Sequence, residues 1–404
     1  MSTVVPKEQI CRDVDSKIKI IIVGAGLGGL GAAIALLLAG HDVEVFEAAA
    51  EIAEVGAGIQ VLPNSSLILQ RWGLYNRLAK YATKPSRVNF LGWKVQARVM
   101  DLRISPTGET ATVVLQNGEE HTADLVVGAD GINSRLREIL LGKEDPPLLT
   151  GDLAYRLLLS TKDMLKDPEL ATFVTQPQVN YWLGPDAHAV NYVLRGGELF
   201  NMVLLVPDDI PKGQNITEGN VEEMRALYKE WDPRIPKLLS LCESVYKWRL
   251  CIRPGMEQWS HPSGTVTMLG DAVHATLPYL ASGAGMSLED GAVLGEIFSR
   301  WTGPLTPKAK SQLLDLYQKI RAPRTEMVVE RGNRQQWLYH LHDGPEQEER
   351  DRILRIGGKG EALAWRDKAF APELLGWCCE KEVDLVWPAG EDEVRGDAKL
   401  QSRL

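Results

Sequence analysis

The chain has 404 residues, enough for two domains or one elaborated domain, and its 44% hydrophobic, 25% charged composition is that of a globular enzyme rather than a disordered chain. A net charge of −9 argues against a nucleic-acid partner. Cys11, Cys242, Cys251, Cys378 and Cys379 are odd in number and contain no CxxC pair, so no disulfide framework and no metal site are expected. The first residues, MSTVVPKEQICRDVDSK, lack the basic-then-apolar pattern of a signal peptide, and a cytoplasmic location is expected.

In chain order, the first strong signal is IKIIIVGAGLGGLGAAIALLLAGHDVEVFE, residues 18 to 47. Ile18 to Val23 form an apolar, β-branched run that reads as a buried parallel strand. Gly24, Gly26 and Gly29 follow with GxGxxG spacing, then a small-residue helix from Leu27 to Leu38. A second strand, Asp42 to Phe46, ends on Glu47. Gly24 permits the tight turn, Gly26 the close approach of a pyrophosphate, and Gly29 the packing of helix on strand. The helix N-terminus offers N–H groups to phosphate, and Glu47 is placed to accept ribose hydroxyls. Residues 21 to 40 carry no charge and are long enough for a membrane span, but the glycine spacing and the charged strand that follows exclude that reading.

Ala57 and Gly58 lie in a flexible glycine segment suited to a flat ligand, and Pro63-Asn64-Ser65 starts a helix. Short strands are expected at Val88–Trp93, Gln96–Ile104 and Thr110–Gln116, with Asn117-Gly118 as a hairpin turn. Leu125 to Val127 form another buried strand, followed by Gly128, Asp130, Gly131 and a helix capped by Asn133 or Ser134. From Gly151 to Pro207 the pattern is strand-like throughout: AYRLLLS, ATFVTQ, VNYWLG, AVNYVLRGG and LFNMVLLVP. Residues 218 to 242 read as helix and turn. Thr265 to Leu269 is a strand that meets Gly270-Asp271, and a loop with Pro278 leads to Ser282-Gly283-Ala284-Gly285 and a long helix through Phe298. A further helix covers about Lys308 to Leu341, and a charged, amphipathic C-terminal region ends in a polar tail from about Gly390.

Three separated motifs therefore stand together: GAGLGG with Glu47, GADG at 128 to 131, and LGDAVHATLP at 269 to 278. The combination resembles the single-component flavin-dependent aromatic hydroxylases of the para-hydroxybenzoate hydroxylase type, closest to the salicylate-hydroxylase-like branch common in fungi. The resemblance covers about residues 17 to 340 and implies an α/β fold. A glutathione-reductase-like, FAD-binding Rossmann domain (17–150 and 256–340) is interleaved with an antiparallel substrate-binding sheet (151–255), and C-terminal helices or tail follow (341–404). It implies FAD as cofactor and NADH or NADPH as co-substrate. Dioxygen and a small phenolic or other electron-rich aromatic would be the partners, with one oxygen atom entering the ring and the other leaving as water.

By the same resemblance Asp271 holds ribityl and phosphate-side groups, and the helix starting near Gly283 and Ala284 aims its positive end at the flavin ring. Pro278 lies against that ring, and Asp130 with Gly131 contacts FAD and bears on NAD(P)H use. Helix capping is the alternative role for Asp130, and His274 is expected to be a packed histidine. Arg156, matching a Tyr-Arg motif, and Tyr192 are the catalytic candidates facing substrate, against the plainer roles of a surface ion-pair partner and a core tyrosine.

One departure from the family stands out. FLGWK runs straight into VQARVMDL, where the family carries a further segment of roughly three dozen residues with a His-Arg-x-x-Leu signature. Loss of that segment exposes apolar surface and removes a cationic FAD contact, so weaker FAD binding and lower stability are expected, at about 25 cal/mol per Å² uncovered. An FAD-dependent dehydrogenase or oxidase without oxygen transfer, and an inactive shortened flavoprotein, are the competing readings.

Overall fold

Strand β1 (Lys19–Val23) explains why the chain folds as it does: Ile20, Ile21 and Ile22 have no exposed surface. A strand apolar on both faces must be covered on both sides, which favours an interior position in a parallel sheet. This computed structural model describes residues 17–49, 59, 61–79, 98–355 and 371–387. The expected strand at Val88–Trp93, the Trp93–Val95 junction, Ala57 and Gly58, and the tail from Gly390 lie outside them.

The remaining strands in chain order are β2 (Asp42–Phe46), β3 (Val99–Ile104), β4 (Ala111–Leu115), β5 (Glu120–Ala123) and β6 (Leu125–Gly128). Then come β7 (Leu148–Ser160), β8 (Asn180–Gly184), β9 (Ala187–Leu194) and β10 (Leu199–Pro207). Last are β11 (Ile216–Gly219), β12 (Val245–Ile252) and β13 (Val266–Met268). They form a parallel sheet of order β13-β6-β1-β2, an antiparallel sheet of order β11-β12-β7-β10-β9-β8, and a small antiparallel sheet β3-β4-β5. The architecture is α/β, with the antiparallel sheet interleaved between the two parts of the parallel one.

Two expectations are corrected, and one strand is added. ATFVTQ is not a strand but part of a helix, Pro168–Thr175. Asp167 caps it by accepting from the Glu169 and Leu170 N–H groups, and Pro168 sits in its first turn. A local cap thus overrides the β-branched run. Residues 216–219, partly assigned to helix and turn, form edge strand β11. Strand β12 was not anticipated at all.

The helix Leu27–Leu38 packs against the helix Gly283–Arg300 through small residues. A Cβ on Gly291 would lie 2.6 Å from the Ala32 nitrogen, and one on Gly295 2.6 Å from the Ala35 Cβ. The two backbones therefore touch almost directly, which larger side chains would prevent.

Between the Gly283 helix and the long helix Pro307–Tyr339 lies a buried ionic network. Glu289, Asp290 and Arg321 have no exposed surface. Arg321 Nε donates to Asp290 Oδ1 at 2.7 Å, and Arg324 donates to both Glu289 oxygens at 3.0 and 3.2 Å. Asn64, at the start of the helix Pro63–Arg71, donates to Glu289 Oε1 at 2.5 Å. Trp377 covers both guanidiniums, at 4.6 and 5.6 Å. Two buried acids thus face two buried bases. Arg321→Met removes one of the two guanidiniums and leaves the buried cluster one cation short, and the predicted loss is about 3–5 kcal/mol of stability, read by chemical denaturation.

Candidate active site

The parallel sheet ends in the glycine turn. Gly24 has φ of +107°, and a Cβ there would meet the Ala129 carbonyl oxygen at 2.2 Å. A Cβ on Gly29 would lie 1.9 Å from the Gly24 oxygen, so the helix enters directly beneath the turn. Gly26 is different: among the described residues nothing lies within 4 Å of its Cβ position, and its φ of −67° is open to any residue. Its glycine leaves space for something that is not protein. Glu47 reaches back over this loop, accepting from the Ala25 N–H at 2.7 Å and the Ala49 N–H at 2.8 Å.

The second motif joins the first through Ala129, which packs on Gly24. Asp130 accepts from Ser134 Oγ at 2.6 Å and from the Arg135 and Leu136 N–H groups at 2.8 and 3.1 Å, holding the first turn of the helix Arg135–Leu141. Ser134 is the N-cap of that helix, accepting from the Arg137 N–H. Burial pushes the Asp130 carboxyl above its ordinary value, against the pull of these hydrogen bonds. Gly131 has φ of +76° and open space over its Cα. Sequence reasoning missed Arg137. Its buried guanidinium donates to the Ala272, Val273 and Pro254 carbonyls and pairs with Asp145 at 2.6 Å, tying the second motif to the third. Only its position one helical turn after the cap pointed to it.

In the third motif Asp271 follows Gly270, which has φ of +62°. Asp271 is crowded by protein yet keeps accessible surface, so it lines a recess rather than the outer surface. That burial raises its pKa, opposed by His274 and reinforced by Asp290. Pro278 is exposed. His274 is buried, lies tilted against Trp259 with ring centres 5.4 Å apart and meets Asp290 Oδ2 through Nε2 at 2.7 Å. Burial alone would raise the Asp290 carboxyl, but His274 and Arg321 outweigh it and hold it at about 2. Asp290 also accepts from the Gly270 N–H at 2.9 Å, which fixes the turn before Asp271.

No side chain caps the Gly283 helix. The Ser282 hydroxyl donates to the Leu280 carbonyl instead, and the helical ladder starts with Met286 N–H to Ser282 O at 2.8 Å. Gly283 and Ala284 are partly accessible, so this first turn presents N–H groups and the positive end of an 18-residue dipole.

The antiparallel sheet turns one face toward this loop. Asp152, Ala154 and Arg156 of β7 share that face with Val190 and Tyr192 of β9 and Asn201 and Val203 of β10. Asp152 Oδ2 accepts from the Tyr279 hydroxyl and from Gln336 Nε2 at 2.7 Å, tethering the Pro278 loop to the sheet. Arg156 lies 5.1 Å over Trp248, and its buried Nε has no partner among the described residues. Burial draws its pKa down, partly countered by Tyr192, yet a guanidinium remains a cation in a protein. Tyr192 is half-buried. Asn201, missed at the sequence level, is fully buried, both its amide atoms lack a partner among the described residues, and it pairs in register with Tyr192.

An open cradle over Gly26, free helix N–H groups and a carboxylate beside the loop fit a bound dinucleotide. Comparison with known proteins names it. Residues 94–332 match the FAD binding domain family. The chain is 37% identical to the FAD-dependent monooxygenase OpS4 of Beauveria bassiana, covering 89% of this chain and 94% of that protein. It is 32% identical to a 3-hydroxybenzoate 6-hydroxylase of Polaromonas naphthalenivorans, covering 81% and 90%. A solved salicylate hydroxylase substrate complex shares the fold, with TM-score 0.73, 21% identity, and 92% and 98% of the two chains covered. The chain belongs to the FAD-binding-domain family and is an FAD-dependent monooxygenase of the kind that consumes NAD(P)H and dioxygen. The OpS4 alignment runs over 409 residues while 89% of this chain is about 360, so about fifty aligned positions have no counterpart here. Among the described residues no helix is long and apolar enough to cross a membrane.

Gly26→Ala and Gly29→Ala separate binding from folding. Gly26→Ala is predicted to keep stability within about 1 kcal/mol while weakening FAD binding. Gly29→Ala is predicted to destabilise the fold itself, because its methyl overlaps the Gly24 carbonyl. Thermal melts and flavin fluorescence titrations of both variants check the contrast.

Proposed function

We propose that this monooxygenase hydroxylates, or epoxidises, a phenolic or other electron-rich aromatic ring, salicylate-like or from secondary metabolism, in the cytoplasm. The observation that carries the reading is Arg156, a cation half-buried on the inner face of the antiparallel sheet, whose Nε has no partner among the described residues. An unmet buried donor is costly, and a phenolate or carboxylate would satisfy it. The 3-hydroxybenzoate 6-hydroxylase likeness supports the same substrate class.

In this reading 17–150 and 256–340 hold FAD and 151–255 hold substrate. Gly24, Gly26, Gly29 and Glu47 hold the adenosine diphosphate end, with Asp130, Gly131 and Asp271 further along, and Ala57, Gly58 and Pro278 flank the ring. The first-turn N–H groups at Gly283 and Ala284 stabilise negative charge on the ring. Bound FAD supplies the chemistry of passing two electrons from NAD(P)H to dioxygen. The chain's own part is to orient the substrate: Arg156 favours the ionised phenol and Tyr192 lines the same wall. The tether from Tyr279 to Asp152 keeps sheet and loop together.

A second reading, a shortened flavoprotein with weakened FAD affinity, is favoured by the roughly fifty unmatched positions in the OpS4 alignment. The test is NADH and NADPH oxidation by the FAD-loaded chain across a panel of phenols, with product analysis. One phenol is expected to accelerate oxidation and to gain one oxygen. Arg156→Ala is expected to lower turnover at least about tenfold, some 1.4 kcal/mol of transition-state stabilisation, while FAD stays bound. Wild-type turnover in that variant would remove Arg156 from the mechanism.

A further inference from the structure

A second polar cluster lies away from the glycine turn, where the long helix ends against the antiparallel sheet. His340, just past Tyr339, places Nε2 2.8 Å from Nδ1 of His188 on β9. Its Nδ1 lies 3.9 Å from Asp152 Oδ2, the oxygen that also accepts from Tyr279 and Gln336. His188 is 2% exposed, and its ring lies 5.1 Å from Tyr279. His340 also lines an open groove of about 810 Å³ together with Gln336, Trp337, Asp186, His342 and Glu346.

The groups facing His340 are Asp152 from β7, His188 from β9, and Asp186 from the turn before β9, whose N–H donates to the His340 carbonyl. Asp186 is also paired with His342 at 2.9 Å. Tyr279, Tyr339 and Gln336 complete the surroundings, and the Tyr228 hydroxyl donates to the His188 carbonyl. Asp152 and Asp186 are the acids in this shell, and Asp152 is the buried one.

We propose that His340, hydrogen-bonded to His188 and facing Asp152, is a proton reservoir between the outer groove and the Asp152–Tyr279 wall of the cofactor site. The proposal rests on the monooxygenase reading, which creates the demand. Hydroxylation of R–H by dioxygen and NAD(P)H consumes one proton per turnover and gives R–OH, NAD(P)⁺ and water. The three hydrogens placed in R–OH and water come from the ring, the hydride and that proton. It must reach a site built to exclude water.

The geometry sets the end points of the step: the 3.9 Å between His340 Nδ1 and Asp152 Oδ2 is longer than a hydrogen bond and must close as the charged ring is drawn to the carboxylate. With His340 neutral and its proton on Nε2, that N–H donates to His188 Nδ1, and Nδ1 presents a lone pair toward Asp152. A proton taken up at Nδ1 forms an N–H bond there, and the imidazolium then pairs with the Asp152 carboxylate. The proton leaves by breaking that N–H bond and forming O–H on Asp152 Oδ2, which is already hydrogen-bonded to Tyr279. Tyr279 is the residue after Pro278, so the reservoir touches the flavin loop itself.

Burial holds His340 below its ordinary pKa, opposed by Asp152 and Asp186. Burial, together with the neighbouring imidazole of His340, holds His188 well below. A depressed histidine stays neutral when folded while the unfolded chain takes up protons near pH 6.5, so stability falls as pH drops through about 6.5 and is regained as it rises.

The decisive experiment is imidazole NMR of the cofactor-free chain across pH, for wild type and Asp152→Asn. The two histidines are expected to titrate as a coupled pair, and removal of the carboxylate is expected to move the His340 titration down by about one pH unit or more. In the FAD-loaded enzyme His340→Gln, which keeps a donor toward His188, is expected to shift the pH profile of turnover while melting near the wild-type temperature. An unmoved titration in Asp152→Asn overturns the proposal, and so does an unmoved pH profile in a folded, active His340→Gln. A wild-type chain that turns over no phenol counts against the monooxygenase reading instead, and the NMR titration then decides the reservoir alone.

Discussion

Two carboxylates sit side by side, without exposed surface, on one helix, and the site's geometry depends on how they are neutralised. Glu289 and Asp290 would each cost several kcal/mol if buried alone. Arg321 and Arg324 make them tolerable, and the arginines are positioned only because the long helix runs alongside. Asp290 then has a second task. Its other oxygen holds the Gly270 N–H and His274, so the same charge that locks two helices together also sets the turn carrying Asp271. Asn64 carries the network to the helix that follows the glycine segment. The N-terminal turn at Gly283, six residues before Glu289, inherits its position from this lock.

The small residues serve the same end by subtraction. Gly291 and Gly295 let the Gly283 helix approach the glycine-turn helix to backbone distance. Both helices therefore bring their N-terminal ends to the same region at the end of the parallel sheet, and both ends carry unpaired N–H groups. A dinucleotide has a negative pyrophosphate and a ring that becomes negative on reduction. Two dipole ends near one sheet edge suit both.

Much of this was legible in the sequence, and the exceptions have physical causes. The parallel strands were readable because their apolar runs end at Gly24 and Gly128, and the helix Leu27–Leu38 because small residues follow the turn. The helix Pro168–Thr175 was misread because Phe173, Val174 and Thr175 have strand character, while the decisive signal is the single Asp167-Pro168 cap. Strand β12 was hidden by an inverted pattern: Lys247 is 7% exposed and paired with Asp209 and Glu223, whereas Tyr246 is 54% exposed. No reading of apolar periodicity finds a strand whose buried position is a lysine. At the site, Gly24, Gly29 and Asp271 could be placed by motif. Arg137, Asn201 and His340 could not, because each acts through partners more than 100 residues away or through a strand register.

The central claim is that these motifs still assemble a competent FAD site although about fifty positions of the alignment with a relative have no counterpart in this chain. The most direct measurement is a titration of the purified chain with FAD, read by the visible flavin band that remains after gel filtration. One FAD per folded chain is predicted. A chain that is folded by circular dichroism yet elutes colourless after incubation with excess FAD would contradict it, and would show that the cradle at Gly26 and the helix end at Gly283 do not suffice to hold the cofactor.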